Sequence, residues 1–216
     1  MIRKRVVVFI SGSGSNMMAL LAATRAPDFP AEIIAVIADK AEAGGLAKAA
    51  AEGVATFHFE RKAYAGKAEH EAAILAKLTE LAPDLICLAG YMRLLSADFI
   101  RAYDGRILNI HPSLLPLFPG LHTHERAIEA GMRVSGCTVH FVTPGMDEGP
   151  VIGQAAVPVL PSDTADALAA RVLTVEHRLY PEALRQVALG AVSMSADGRV
   201  VSISASTDAS AFIVST

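Results

Sequence analysis

The feature that most narrows the choice of fold is an alternation. Apolar runs of strand length trade places with Ala-rich segments of helical period through the first half of the chain. Residues 6–10 (Val-Val-Val-Phe-Ile) carry no polar alternation, the pattern of a strand covered on both faces. A Gly/Ser turn follows at 11–16, then a predicted helix at 17–24, a strand at 33–38 and a helix at 43–52 that Gly53 stops. A third strand is predicted at 55–59 and an amphipathic helix at 67–81, ended by Pro83. Then come a fourth strand at 84–89, a short helix at 96–103 capped by Ser96, and a fifth strand at 106–110. Strand and helix in rotation predict an α/β fold, an open, mostly parallel twisted sheet with helices on both faces. Ligands of such sheets lie beyond the carboxyl ends of the strands. The unusual residues of this sequence stand just after strands one, four and five.

Further on, strands at 138–143 and 151–159 flank the loop Pro144-Gly-Met-Asp-Glu-Gly-Pro150. Ser162 or Asp163 is placed to cap a long helix running to 189. With no internal repeat or linker, one domain is expected over 1–190. Within 191–216, residues 193–201 read as a hairpin turning on Asp197-Gly198, and 202 onward as a loosely attached tail. Hydrophobic residues at 52% against 19% charged exclude a disordered chain. A net charge of −3 argues against non-specific nucleic-acid binding or an anionic membrane partner. No apolar run approaches the ~18 residues of a membrane span. The basic start Met1-Ile-Arg-Lys-Arg leads into an apolar stretch too short for a signal peptide, because the Gly/Ser turn ends it. Cys87 and Cys137, in apolar surroundings, read as reduced thiols of a cytoplasmic protein. Small-molecule substrates are the expected partners, with monomer and homodimer both open.

Three constellations offer chemistry. A strand, then Gly12-x-Gly14, then a helix presents backbone N–H groups at a helix N-terminus, which suits an anion held by Gly14, Ser15 and Asn16. The turn lacks the Lys-Ser/Thr of a P-loop, and Met17 stands where a dinucleotide fingerprint has its third glycine. Asp39, at the end of strand two, is the residue that could hold a ribose in that alternative, and a purely connecting turn is the other. Second, Asn109 and His111 are two apart on an extended chain and project to one side, and Pro112 favours extended geometry at His111. An amide beside an imidazole at a strand end suits acyl chemistry, since both can donate to an oxyanion and the ring can carry a proton. A role in satisfying backbone groups at the sheet edge is the alternative. Third, Asp147 stands in a Gly/Pro-bounded loop, from which a carboxylate could orient His111 and favour its charged form. A solvated loop acid is the plain alternative. His122-x-His124 with His140 lacks the fuller donor set of a zinc site, so no metal is expected. Cys87 and Cys137 read as packing, and residues 90–95 read either as core or as the lining for a flat ligand.

Together these residues resemble the phosphoribosylglycinamide formyltransferase family, over residues 6–189. The resemblance rests on Ile-Ser-Gly-Ser-Gly-Ser-Asn16, Leu-Ala-Gly-Tyr-Met-Arg-Leu-Leu-Ser96, Leu-Asn-Ile-His-Pro-Ser-Leu-Leu-Pro116 and Phe-Pro-Gly-Leu-His-Thr-His124. It rests too on Gly-Cys-Thr-Val-His-Phe-Val142, Asp-Glu-Gly-Pro-Val151 and Val-Glu-His-Arg-Leu-Tyr-Pro181. The resemblance implies a Rossmann-like formyltransferase fold. It also implies transfer of a formyl group from 10-formyltetrahydrofolate, as co-substrate, to the primary amine of glycinamide ribonucleotide in purine biosynthesis, without a metal. By the same resemblance, Gly14, Ser15 and Asn16 hold the phosphate and Glu176 contacts the ribose. Met92, Arg93, Leu94 and Leu95 line the folate pocket, residues 142–147 (Val142 to Asp147) close around the pterin, and Lys67 meets the folate. Asn109 and His111 would stabilise a tetrahedral intermediate while Asp147 assists proton transfer. Activity is then expected to fall at low pH, as Asp147 and the amine nucleophile take up protons.

Two related enzymes share the Asn-x-His and Asp set. Formyltetrahydrofolate deformylase usually carries an extra N-terminal domain, whereas this chain starts at strand one. Methionyl-tRNA formyltransferase carries a C-terminal domain and basic surfaces that this length and charge do not match. A non-catalytic nucleotide-phosphate sensor on the same core would dispense with Asn109, His111 and Asp147, all of which are present.

Overall fold

A computed structural model describes residues 2–195 together with 200–201 and 213–214. The fold is α/β, a mostly parallel open sheet with helices between its strands. The chain divides into two compact units, Met1–Leu108 and Asn109–Thr216.

The first unit runs β1 (Lys4–Ile10), α1 (Ser15–Thr24), β2 (Ala31–Ala38), α2 (Gly44–Ala51), β3 (Ala55–His58), a single 3₁₀ turn (Arg61–Ala63), α3 (Lys67–Leu81), β4 (Leu85–Leu88) and α4 (Ala97–Ala102). Its strands order as β4-β1-β2-β3, and β1 pairs in parallel with both β2 and β4. Hence the unbroken apolar run of β1: as an interior strand it buries Val6 to Ile10 completely. The chain moves outward from β1 to β3, then returns through α3 to the far side of β1. That reversal leaves a crevice between the loops after β1 and β4, the place where open α/β sheets bind ligands. Ser96 caps α4, its hydroxyl accepting the Phe99 N–H at 3.2 Å. Glu71 of α3 accepts the Ser96 N–H at 2.9 Å, tying the end of the loop after β4 to that helix.

The second unit begins within β5 (Ile107–His111) and continues through α5 (Thr123–Glu129), β6 (Val134–Phe141), β7 (Val151–Pro158) and α6 (Ala165–Ala188). β6 and β7 form an antiparallel hairpin, and Ile213–Val214 (β10) adds a parallel partner to β7. Leu168, Val172, Val175, Leu179, Ala183 and Leu184 make the apolar stripe that α6 lays on β6 and β7.

Two expectations need correction. Neither Ser162 nor Asp163 caps α6; Thr164 does, accepting the Ala167 N–H at 3.2 Å. Asp163 is engaged elsewhere, with both carboxylate oxygens on the Arg171 guanidinium and a hydrogen bond from the Leu160 N–H. These partners hold its pKa down to about 2. Helix α5 is absent from the sequence-based expectations, because His122-Thr-His124 reads as a donor cluster rather than a helix start. Residues Ser193–Met194 (β8) and Val200–Val201 (β9) pair antiparallel, as a hairpin requires. The turn at Asp197-Gly198 lies outside the described residues, as does the tail from 202 onward apart from the two residues of β10. Among the described residues, no helix is long and apolar enough to cross a membrane.

Candidate active site

The chemistry-bearing side chains of the second unit gather at the carboxyl end of β5. Strand alternation turns Asn109 and His111 to the same side. The His111 Nε2 donates to the Phe118 carbonyl at 3.0 Å, and its Nδ1 lies 3.4 Å from Asp147 Oδ2. Both ring nitrogens thus face oxygen atoms of neighbouring groups. Asp147 Oδ2 also accepts the Gly120 N–H at 2.9 Å, while Oδ1 lies 3.8 Å from His140 Nε2. Asn109 Nδ2 lies 3.1 Å from that same His140 nitrogen. An amide, two imidazoles and a carboxylate therefore form one connected set.

Local sequence explains how these groups are held. Asp147 sits at φ 54, a left-handed conformation that Asp tolerates better than most side chains. Two residues on, Gly149 has no room for a side chain, because a Cβ there would stand 1.7 Å from the Phe141 carbonyl oxygen. The 142–150 loop can fold back on β6 only because that residue is glycine. The Phe141 N–H donating to the Pro150 carbonyl at 3.0 Å then closes it. On the other side, fully buried Thr138 fixes the loop after β5. Its hydroxyl donates to the Ser113 carbonyl at 2.6 Å and accepts from the Leu115 N–H and Gln154 Nε2, each at 3.0 Å. Gln154 also donates to the Leu115 carbonyl at 2.8 Å.

In the first unit, Gly14 ends the loop after β1 at φ 72 and leaves α1 without a side-chain cap. Backbones meet closely here: the Gly45 N–H donates to the Gly12 carbonyl at 3.0 Å, and a Cβ on Gly45 would stand 2.5 Å from Ile10 Cδ1. Lys48 reaches the Ser13 carbonyl at 2.9 Å, adding a cation beside the uncapped turn. Across the crevice, the Met92 N–H donates to Ser11 Oγ at 2.8 Å. An open cleft lies beside the loop after β4, with Tyr91, Leu94 and Leu95 as its apolar part and Arg61 and Lys67 as cations. Asp39 and Arg93 pair at 2.7 Å through Asp39 Oδ2, with the Asp39 side chain fully buried. Burial pushes the Tyr91 hydroxyl well above its ordinary pKa.

A family model described as formyl transferase matches residues 4–184. The chain belongs to the formyl transferase family. Among solved structures, phosphoribosylglycinamide formyltransferase from Brucella melitensis is 69% identical with a TM-score of 0.84, covering 86% of this chain and 96% of that one. Phosphoribosylglycinamide formyltransferase of Escherichia coli K12 is 44% identical, over 88% of this chain and 89% of that protein. The bovine trifunctional purine biosynthetic protein adenosine-3 is 47% identical over 92% of this chain, which spans only 20% of that larger protein.

In this formyl transferase, the residues singled out in the sequence fall into four places. Asn109, His111 and Asp147 converge in the second unit. Gly14, Ser15 and Asn16 open α1. Lys67, Arg93, Leu94 and Leu95 surround the cleft, whereas Met92 is not among its lining and leaves its side chain 67% exposed. Glu176 is buried on α6. Burial, with the Glu176 charge adding to it, pushes the Cys137 thiol pKa up and leaves that cysteine inert. Val142 is half-buried at the start of the 142–150 loop. His122 is exposed and pairs with Glu125, and among the described residues no group of three or more His, Cys, Asp or Glu is arranged to hold a metal. Sequence reasoning misses Arg61, His140 as a partner of Asn109, and the anchoring role of Thr138. A basic residue in Glu60-Arg-Lys62 reads as a solvated charge, and nothing local marks a buried Thr as a hub.

Proposed function

We propose that this chain transfers the formyl group of 10-formyltetrahydrofolate to the primary amine of glycinamide ribonucleotide, a step of purine biosynthesis. The observation that carries the reading is the His111–Asp147 pair at 3.4 Å beside Asn109, a donor and proton-carrying set suited to acyl transfer. Membership of the formyl transferase family and similarity to phosphoribosylglycinamide formyltransferases support the choice of donor and acceptor.

The cleft bordered by Tyr91, Leu94 and Leu95, with Arg61 and Lys67 as cations, fits a flat ring system with an acidic tail. 10-Formyltetrahydrofolate supplies the formyl carbon and a nitrogen leaving group. The glycine turn at Gly14, Ser15 and Asn16 receives the phosphate of the ribonucleotide, and Glu176 its ribose. Arg93, Leu94 and Leu95 line the part of that cleft assigned to the pterin, and Met92, outside the lining, is not assigned a contact with it. As the amine nitrogen bonds to the formyl carbon, the carbonyl electron pair moves onto oxygen, where Asn109 and the charged His111 donate hydrogen bonds. Asp147 keeps His111 oriented and charged and receives the proton released by the new C–N bond. Delivered through water, that proton reaches the folate nitrogen as its bond to carbon breaks. The domain spans residues 1–190 and works in the cytoplasm, as monomer or homodimer, without a metal.

The test is His111→Ala. Transfer is expected to fall by about 10² to 10⁴ with ribonucleotide binding retained. Unchanged turnover would overturn the assignment, and a protein that only senses the nucleotide would lose nothing.

A further inference from the structure

We propose that His140 is a positioning residue: its unprotonated Nε2 sets which end of the Asn109 amide faces the reacting oxygen. This rests on the formyl-transfer reading. The His140 Nδ1 lies 2.9 Å from the Phe141 carbonyl, which can only accept, so Nδ1 carries the hydrogen. In the neutral ring Nε2 then holds a lone pair and accepts from the Asn109 Nδ2 at 3.1 Å. The opposite rotamer would set the Asn109 carbonyl oxygen against that lone pair. The amide is thereby locked with its nitrogen toward His140, and its second N–H makes no other hydrogen bond among the described residues. A bare Asn can turn either end to the substrate, whereas this one can present only a donor.

The ring is kept in this state by its surroundings. It is buried at 3% exposure, and burial pulls its pKa below the ordinary range, with the charge of His111 acting in the same direction. The Phe141 carbonyl and Asp147 favour the charged ring, and burial outweighs them. Gly149 completes the device. A Cβ there would meet the Phe141 oxygen at 1.7 Å and His140 Nδ1 at 3.2 Å, so glycine keeps this carbonyl available to hold the tautomer. Protonation of His140 would turn Nε2 into a donor and draw the Asn109 oxygen toward it. The amide would flip, and its donor would leave the reacting oxygen.

Two measurements on the full-length protein decide the matter. Long-range ¹H–¹⁵N correlation at pH 7 reports the ring tautomer without any turnover; Nε2 is expected to be unprotonated. Steady-state kinetics on His140→Leu, His140→Gln, Asn109→Ala and the Asn109→Ala/His140→Leu pair report the positioning. His140→Leu is expected to lower kcat about ten- to a hundredfold with KM for both substrates within about twofold. His140→Gln, whose side-chain oxygen can accept from Asn109, is expected to restore most of that loss. In the Asn109→Ala background, His140→Leu is expected to cost nothing further. A protonated Nε2, or an equal loss with and without Asn109, would overturn the proposal. If His140→Leu does not fold, the wild-type tautomer and the Gln variant still separate positioning from mere packing. Wild-type protein without transfer activity would instead defeat the formyl-transfer reading and leave the tautomer result standing.

Discussion

Replacing Asp147 with Asn isolates the charge at the centre of the site. The substitution is nearly isosteric, and the new amide oxygen can still accept the Gly120 N–H that Asp147 accepts now. What disappears is a unit charge 3.4 Å from the His111 Nδ1, worth about 5 kcal/mol at an effective dielectric constant of about 20 and about 1 kcal/mol in water. The side chains are 8% and 14% exposed, so the pair lies between those limits. Taking about 3 kcal/mol as the part realised when His111 is charged in the transition state, kcat should fall roughly 150-fold. KM for the ribonucleotide should move by less than about threefold, because Asp147 is assigned no binding contact with it. The assay is initial-rate absorbance of folate product release, with thermal unfolding as a control. A folded Asp147→Asn protein within threefold of the wild-type kcat would refute the reasoning.

Other consequences are equally concrete. Gly149→Ala places a carbon 1.7 Å from the Phe141 oxygen and should cost at least about 3 kcal/mol in urea unfolding; a loss below 1 kcal/mol would mean the loop has slack. Thr138→Val leaves the Ser113 carbonyl and Leu115 N–H without their partner and should cost about 2–4 kcal/mol, whereas Thr138→Ser should stay within about 1 kcal/mol; equal losses would show that the hydroxyl is unimportant. Arg61→Gln with Lys67→Gln should raise KM for the folate about tenfold at low salt and less at high salt, with kcat nearly unchanged. Burial holds the pKa values of His124, His140 and His177 below their ordinary value. The unfolded chain therefore binds more protons as pH falls below about 6.5, and stability should fall with it. The urea midpoint should drop between pH 7.5 and 5.5, and drop less in His177→Gln; an identical drop in both would refute the assignment of His177 to this effect.

How much of this was legible in the sequence follows from how local each cause is. β1 could be read from residue type because an interior strand must be apolar on both faces, and α3 was bounded correctly at Lys67–Leu81 by its period and by Pro83. Asn109 and His111 could be placed on one side because strand alternation is a local rule. Boundaries moved where the decisive partner is distant. Asp163 was taken from its capping position by Arg171, and β6 begins at Val134 because its antiparallel pairing with Val157 and Pro158 supplies order that the residues alone do not. The link from Asn109 to His140 spans 31 residues and depends on a tautomer fixed by the Phe141 carbonyl, so no spacing rule finds it. Gly149 was visible as a turn residue, but its reason, the closeness of the Phe141 oxygen, exists only in the folded chain.

The most direct test of the central claim follows folate product by absorbance, with 10-formyltetrahydrofolate supplied in the presence and absence of glycinamide ribonucleotide. The account predicts release that depends on the ribonucleotide, with one formylated amine formed for each folate released. Release at the same rate in water alone would contradict it and identify a hydrolase.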